Sequence, residues 1–479
     1  MKAKGFLCGG LLVIAALAPA QLFSNQEKAE ILNYWEKPGR YGCRKPDTAS
    51  RNGLYQVRLT TAGSIWLREY NRKRGLGKVA PTATAAPQNE KQRVWQRWID
   101  SKIEYDRCLA MQLAEQKNQD ELKIPTKFDD RSLPTSYCED PGDAPPDLVT
   151  FAGQPPKFAD VAAPMQHVVT FDDGLTLTFT DNTKMRKNYA YYRFENGVAS
   201  EGQSVRSMPD EKLDQLFTRA GVSPAQERIM KAVSILEGGF DAINTYDTGF
   251  VSVGFIQFAC LKDGGNSLGE LLLNYKSWDP ENFDRDLHRF GIDVTDDAKI
   301  ACLDLKSGDE LHGEQAAMQV IEDKRLIAVF QRAGRISDAF NSAQIRSAKQ
   351  QFFPADDIVK VNVNGEVLTG RIGDVIHSEA GMATLMDRKV NTGNVDPLPS
   401  VLQKIASTYG IKRFEDLSLY ELDIVQALKY RKDYLADSTL SQPVSARDSR
   451  RSDSSTASRK GSRSSRSRGG GHTGDQSRF

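Results

Sequence analysis

Ser234-Ile235-Leu236-Glu237-Gly238-Gly239-Phe240-Asp241-Ala242-Ile243-Asn244-Thr245-Tyr246-Asp247, followed after a short loop by Ser252-Val253-Gly254-Phe255-Ile256-Gln257-Phe258, is the stretch on which the fold turns. Upstream, Ser223-Pro224 begins a helix, with a capping hydroxyl and a proline in the first turn. Ile229, Val233 and Leu236 then fall on one face, and Gly238-Gly239 stops the helix with Glu237 at its C-terminal end. Two effects there favour the protonated carboxyl. The helix end carries partial negative charge, and the apolar neighbours Ile235, Leu236 and Phe240 are expected to exclude water. A carboxylic acid that keeps its proton near neutral pH is what a glycosidase needs to protonate the leaving-group oxygen.

The whole stretch resembles the lysozyme-like superfamily, in particular goose-type lysozymes and lytic transglycosylases. There a catalytic Glu ends a buried helix, and a Gly-Leu-Met-Gln-like stretch follows after a loop; here the corresponding residues are Gly254-Phe255-Ile256-Gln257. The resemblance implies Glu237 as general acid and Gln257 as a residue of the sugar cleft. It also implies a role for Asp247, since goose-type lysozymes carry an Asp in this loop that positions the attacking water. A gap of roughly 6.5–9.5 Å between the two carboxylates gives hydrolysis with inversion, and roughly 5–5.5 Å gives retention. With no carboxylate facing Glu237, intramolecular attack by the muramic acid 6-hydroxyl follows instead, as in lytic transglycosylases. Read as a residue type alone, Asp247 equally suits a loop cap bonded to nearby amides. Tyr246, Ser252 and Phe255 are further substrate-binding candidates, the two aromatics serving either as sugar-stacking faces or as core.

A second resemblance lies downstream. Gly381 to Gly393, with Asp387 and Asn391, is similar to the helix-borne Phe-Asp-x-x-Val-Asn-x-Gly segment of bacterial and phage muramidases. Asp387 and Asn391 stand four apart and share a helix face, where they contact substrate or form a polar network at the helix end. The resemblance covers about residues 210–438 and departs from the short goose-type pattern in its long inserts.

Outward from this centre the chain divides by composition. Residues 1–20 read as a signal peptide, with Lys2 and Lys4 before an apolar run from Phe6 to Leu17 and Ala18-Pro19-Ala20 as cleavage site. Residues 27–150 are expected to form a separate, partly helical N-terminal module. Residues 160–206 carry a hairpin in which two alternating runs flank Asp172-Asp173-Gly174, and Tyr189–Phe194 suggests another strand. Residues 208–438 form the lysozyme-like domain, with helices expected over 314–333, 399–406 and 417–435 and a hairpin about Asn364-Gly365. Residues 439–479 form a Ser/Arg/Gly-rich basic tail, expected to be disordered. The predicted class is therefore α+β: a mainly helical domain with small hairpins, a separate N-terminal module and a tail.

Charge is balanced, 64 Lys+Arg against 63 Asp+Glu, so no global field points to a polyanion. The tail is either a solubilising segment or an electrostatic tether to an anionic surface, and nothing aromatic interleaves it as a nucleic-acid platform requires. With no long apolar run after the leader, no membrane span is expected in the mature chain. Removing Cys8 with the leader leaves five cysteines, an odd number, among which Cys260 and Cys302 are the expected pair. The five His are scattered, so neither a metal nor an organic cofactor is expected. The function that emerges is an exported enzyme cleaving peptidoglycan strands. Its competitors are a lytic transglycosylase, a chitin or chitosan hydrolase, and a non-catalytic wall-binding or scaffolding protein.

Overall fold

The computed structural model describes residues 21–45, 54–76, 86–122, 138–182 and 194–444. The signal-peptide segment, most of the Tyr189–Phe194 stretch and the tail from residue 445 lie outside the described residues. Helices and small antiparallel sheets alternate along the chain, as the mixed class requires. Among the described residues no helix is long and apolar enough to cross a membrane.

The chain forms two compact units. One comprises Met1–Ala220 with Leu236–Ser347, and the other Gly221–Ile235 with Ala348–Phe479. In the first, the N-terminal stretch does not stand apart as a separate module. Strand Tyr41–Arg44 adds to the hairpin Gln166–Thr170/Thr176–Thr180, and Gln56–Leu59 pairs with Ala159–Ala162. The reason is physical: an isolated two-stranded hairpin is marginal in water, and the N-terminal strand supplies a third. Helix Asn25–Glu36 is tied in as well, because Trp35 is buried and its Nε1 donates to the Phe290 carbonyl at 3.0 Å. A core of Trp66, Tyr70, Trp95, Ile99, Leu148 and Phe158 closes over Tyr246. Trp66, Tyr70 and Trp95 are thus core.

Four short strands build the part of this unit that carries the candidate site. Ala199–Ser200, Ile243–Asn244, Ser252–Val253 and Phe258–Ala259 pair in that order, all antiparallel. A second sheet, Ile292–Val294, Ile300–Leu303 and Glu310–His312, lies within the long insert.

The second unit contains helix Pro224–Ser234, capped by Ser223 in a capping box as its sequence predicts. With it come the hairpin Ile358–Val363/Glu366–Arg371 and helices Glu379–Thr392, Leu398–Tyr409 and Glu421–Ala427. Arg228 ion-pairs with Glu379 between the first and the third of these elements.

Three expectations are corrected. The helix expected over 314–333 is two, Glu314–Glu322 and Lys324–Ile336, because Asp323 leaves helical geometry and its carboxylate caps the second through Arg325 N. The 417–435 helix shortens to Glu421–Ala427, preceded by a 3-10 stretch over Phe414–Tyr420. The tail begins later than residue 439: Leu440 is buried, and Ser441 exchanges hydrogen bonds with Glu379.

Candidate active site

Glu237 lies in the turn that follows the helix Pro224–Ser234 and is half-buried. The helix expected to run into Glu237 ends three residues earlier, at Ser234 with Ile235 as its C-cap, so the glycine pair does not stop it and serves a close backbone approach instead. The segment Glu201–Gln203 runs alongside, and a Cβ on Gly239 would stand 1.9 Å from the Gln203 carbonyl oxygen. Gly239 N donates to Glu201 O at 2.9 Å, so backbone meets backbone here and no side chain fits between. Asp241 fixes the same approach. Its carboxylate accepts from Gln203 N at 2.6 Å and from Arg335 Nε and Nη2 at 2.9 and 2.6 Å.

The chain then enters the meander. Gly254 N donates to Ala242 O at 2.8 Å, and Phe255 packs its ring on Phe240 at 5.0 Å between centroids. Gln344, fully buried, bridges the two stretches. Its Nε2 donates to Phe240 O at 3.0 Å, and its Oε1 accepts from Phe255 N at 3.2 Å. A Cβ on Gly254, whose φ is +86°, would fall 2.0 Å from that Oε1. Gly254 is therefore required twice, for its backbone angle and for the close approach of Gln344. Gln344 has no counterpart in the sequence reading, since it lies 104 residues from Phe240 and no local pattern marks it.

The sequence-predicted residues divide. Glu237, Asp247 and Gln257 all belong to the first unit, with Gln257 at the end of the Gly254–Gln257 turn and partly exposed. Gln257 sits at φ +55°, and its Nε2 donates to Gly254 O at 3.0 Å. Asp247 braces its own loop. Oδ1 accepts from Gly249 N at 2.9 Å and Oδ2 from Asn244 Nδ2 at 2.8 Å. Burial raises its carboxyl above the ordinary aspartate range, against the pull of those two bonds.

Tyr246 and Phe255 are not sugar-stacking faces. They are 5% and 0% exposed, held in the N-terminal core and against Phe240 respectively. Ser252 is buried in the meander, paired with Asn244 and Ala259. Of the three apolar neighbours expected to desolvate Glu237, only Phe240 is buried, while Ile235 and Leu236 are 41% and 38% exposed. They occupy the turn after the helix rather than its packed face.

Asp387 and Asn391 share a face of helix Glu379–Thr392 in the second unit, as their spacing implies. They bind protein. Asp387 is fully buried and pairs with Arg431 at 2.6 Å, and Asn391 Oδ1 accepts from Tyr430 OH at 2.6 Å.

The expected Cys260–Cys302 disulfide is absent. Cys108 and Cys138 are bonded, while Cys260 and Cys302 are buried free thiols and Cys43 is an exposed one. Cys260 and Cys302 instead point their thiols at the Leu261 and Ala316 carbonyls, and burial pushes the Cys260 thiol up to about 12. Among the described residues no group of three or more His, Cys, Asp or Glu is placed to hold a metal ion.

Compared with known protein families, curated proteins and solved structures, the chain finds no match.

Proposed function

We propose that the chain is an exported enzyme that cleaves the glycan strands of peptidoglycan, with Glu237 as general acid. What supports the reading is the joining of two stretches that lie apart in sequence. The segment after Glu237 and the Gly254–Gln257 turn are held together by the Ala242–Gly254 backbone bond and by the two bonds of Gln344. What a lysozyme-like cleft needs is an acid beside a turn that carries a glutamine to the sugar, and here the acid stands in the turn that follows a helix. Glu237 then protonates the glycosidic oxygen, and charge builds on the ring as in an oxocarbenium ion.

One observation favours a lytic transglycosylase over a hydrolase. Both carboxylate oxygens of Asp247 are engaged, by Gly249 N and Asn244 Nδ2. A carboxylate spent on its own loop is poorly placed to orient water, and the muramic acid 6-hydroxyl then becomes the nucleophile. Mass spectrometry of fragments released from purified peptidoglycan tests both points, with Glu237→Gln as control. Anhydro-muramic ends identify a transglycosylase, and reducing ends a hydrolase with Asp247 or another group on the water. Release that Glu237→Gln leaves unchanged would remove the proposal, and binding to sacculi without turnover would move the reading to a wall-binding protein.

A further inference from the structure

The first unit also encloses a cavity of about 290 Å³ that Glu237 does not line. Arg219, Arg285 and Arg332 converge on it, and the residues Ser337–Ala339 that open the 15-residue helix Asp338–Phe352 form part of its wall. We propose that this cavity binds a phosphate or phosphomonoester group.

Arg332 carries the inference. It is 5% exposed, and its guanidinium lies over the rings of Phe171 and Phe290 at 5.4 and 4.9 Å. Nε and Nη2 are both 2.8 Å from the Asp173 carboxylate. Nη1, also buried, has no hydrogen-bond partner among the described residues, and the Asp286 oxygen near it stands 4.0 Å away. A buried charged donor without an acceptor is unfavourable, and a ligand oxygen in the cavity would complete it.

The other groups suit the same ligand. Arg219 donates to Asp279 at 3.3 Å, and Arg285 to Asp286 at 3.0 Å and to Ser337 Oγ at 3.4 Å, fewer bonds than each guanidinium can make. Ser337 Oγ caps the helix through Phe340 N at 3.1 Å. The first two helical N–H groups, of Asp338 and Ala339, have no carbonyl within the helix to receive them and carry the positive end of its dipole. Two aspartates face the cavity, and each is already held. Asp286 is held by Arg285 and by Tyr275 OH at 2.7 Å, and Asp338 by Lys212. Three guanidinium groups and a helix start match the several oxygens of a phosphoryl group better than the two of a carboxylate. The volume leaves room for the alcohol that such a group esterifies.

Calorimetric titration of the mature protein with inorganic phosphate and, separately, with glycerol phosphate tests this, against chloride at matched ionic strength. Saturable binding of either phosphate but not of chloride is expected. Tighter binding of glycerol phosphate identifies an ester site, and equal or weaker binding a site for the free anion. Arg332→Met should weaken binding by about ten- to a hundredfold, the worth of one charge-assisted bond. Because Arg332 also holds Asp173, the half-exposed Arg219→Gln serves as a second variant, folded by tryptophan fluorescence and several-fold weaker. No saturable binding of either phosphate overturns the proposal, as does binding that both variants leave unchanged. A crystal grown in phosphate with only a water between Arg332 Nη1 and Asp286 overturns it too.

Discussion

Replacing Gln344 by methionine keeps the length of the side chain and removes both of its hydrogen bonds. The change leaves Phe255 N and Phe240 O, each bonded to Gln344, without their partner in a fully buried place. An orphaned buried backbone group costs about 1–3 kcal/mol, so the pair should cost about 2–6 kcal/mol, with little added for a cavity. The assay is favourable. All five tryptophans, at 35, 66, 95, 98 and 278, belong to the unit that contains Gln344, so urea denaturation followed by tryptophan fluorescence reports that unit alone. The midpoint should fall while the slope stays constant. A loss below about 1 kcal/mol would refute the reasoning. It would mean that the two groups find water or each other, and that the Gly254–Gln257 turn is held by packing alone.

Three further outcomes are expected. Reducing the Cys108–Cys138 bond, whose cysteines lie 30 residues apart, should lower stability by about 3–4 kcal/mol through loop entropy, read by the same denaturation with and without a phosphine reductant; an unchanged midpoint would contradict it. Asp247 holds its proton over a pH range in which the unfolded chain has already released it, because burial raises the folded carboxyl. Its contribution to stability must therefore fall as pH climbs from the ordinary aspartate range of about 4 upward. Asp247→Asn removes that dependence, so the variant should gain on the wild type between acid and neutral pH, and a constant difference would count against it. Phe255→Ala should cost about 3–5 kcal/mol as a core truncation. A soluble, stable variant with weaker glycan binding would return Phe255 to the cleft.

Local chemistry was legible in the sequence and long-range packing was not. Asp172-Asp173-Gly174 makes the turn it announces, with Gly174 at φ +86°, and Ser223-Pro224 starts its helix with a capping box. The four-residue spacing of Asp387 and Asn391 does put them on one face. Each of these depends on neighbours within one or two turns. What failed depends on partners far away. Tyr246 is core because Leu59, Tyr70, Trp95, Leu148 and Phe158 close over it, Cys260 stays reduced while Cys108 finds Cys138, and the N-terminal strands complete sheets begun more than a hundred residues later. The Gly238-Gly239 pair lies between. Its presence was plain, but its purpose, the approach of the Glu201–Gln203 backbone, belongs to tertiary structure.

If Glu237 is the general acid proposed above, its surroundings imply that bound glycan completes the acid's environment. Phe240, three residues on, is buried, yet Ile235 and Leu236 in the acid's own turn present apolar surface to solvent. A sugar ring laid over that turn would cover Leu236 and expel the water on that side of the carboxyl. Desolvation then favours the protonated acid in the complex more than in the free enzyme. The pH dependence of kcat/KM reports the free enzyme and that of kcat the complex. The alkaline limb of kcat should therefore lie above that of kcat/KM. Leu236→Ser should narrow the gap from the kcat side, because a hydroxyl keeps water at the turn while the free enzyme is already wet there. Coincident limbs in the wild type would show that Glu237 is set for proton donation before substrate arrives, by groups other than the exposed apolar turn.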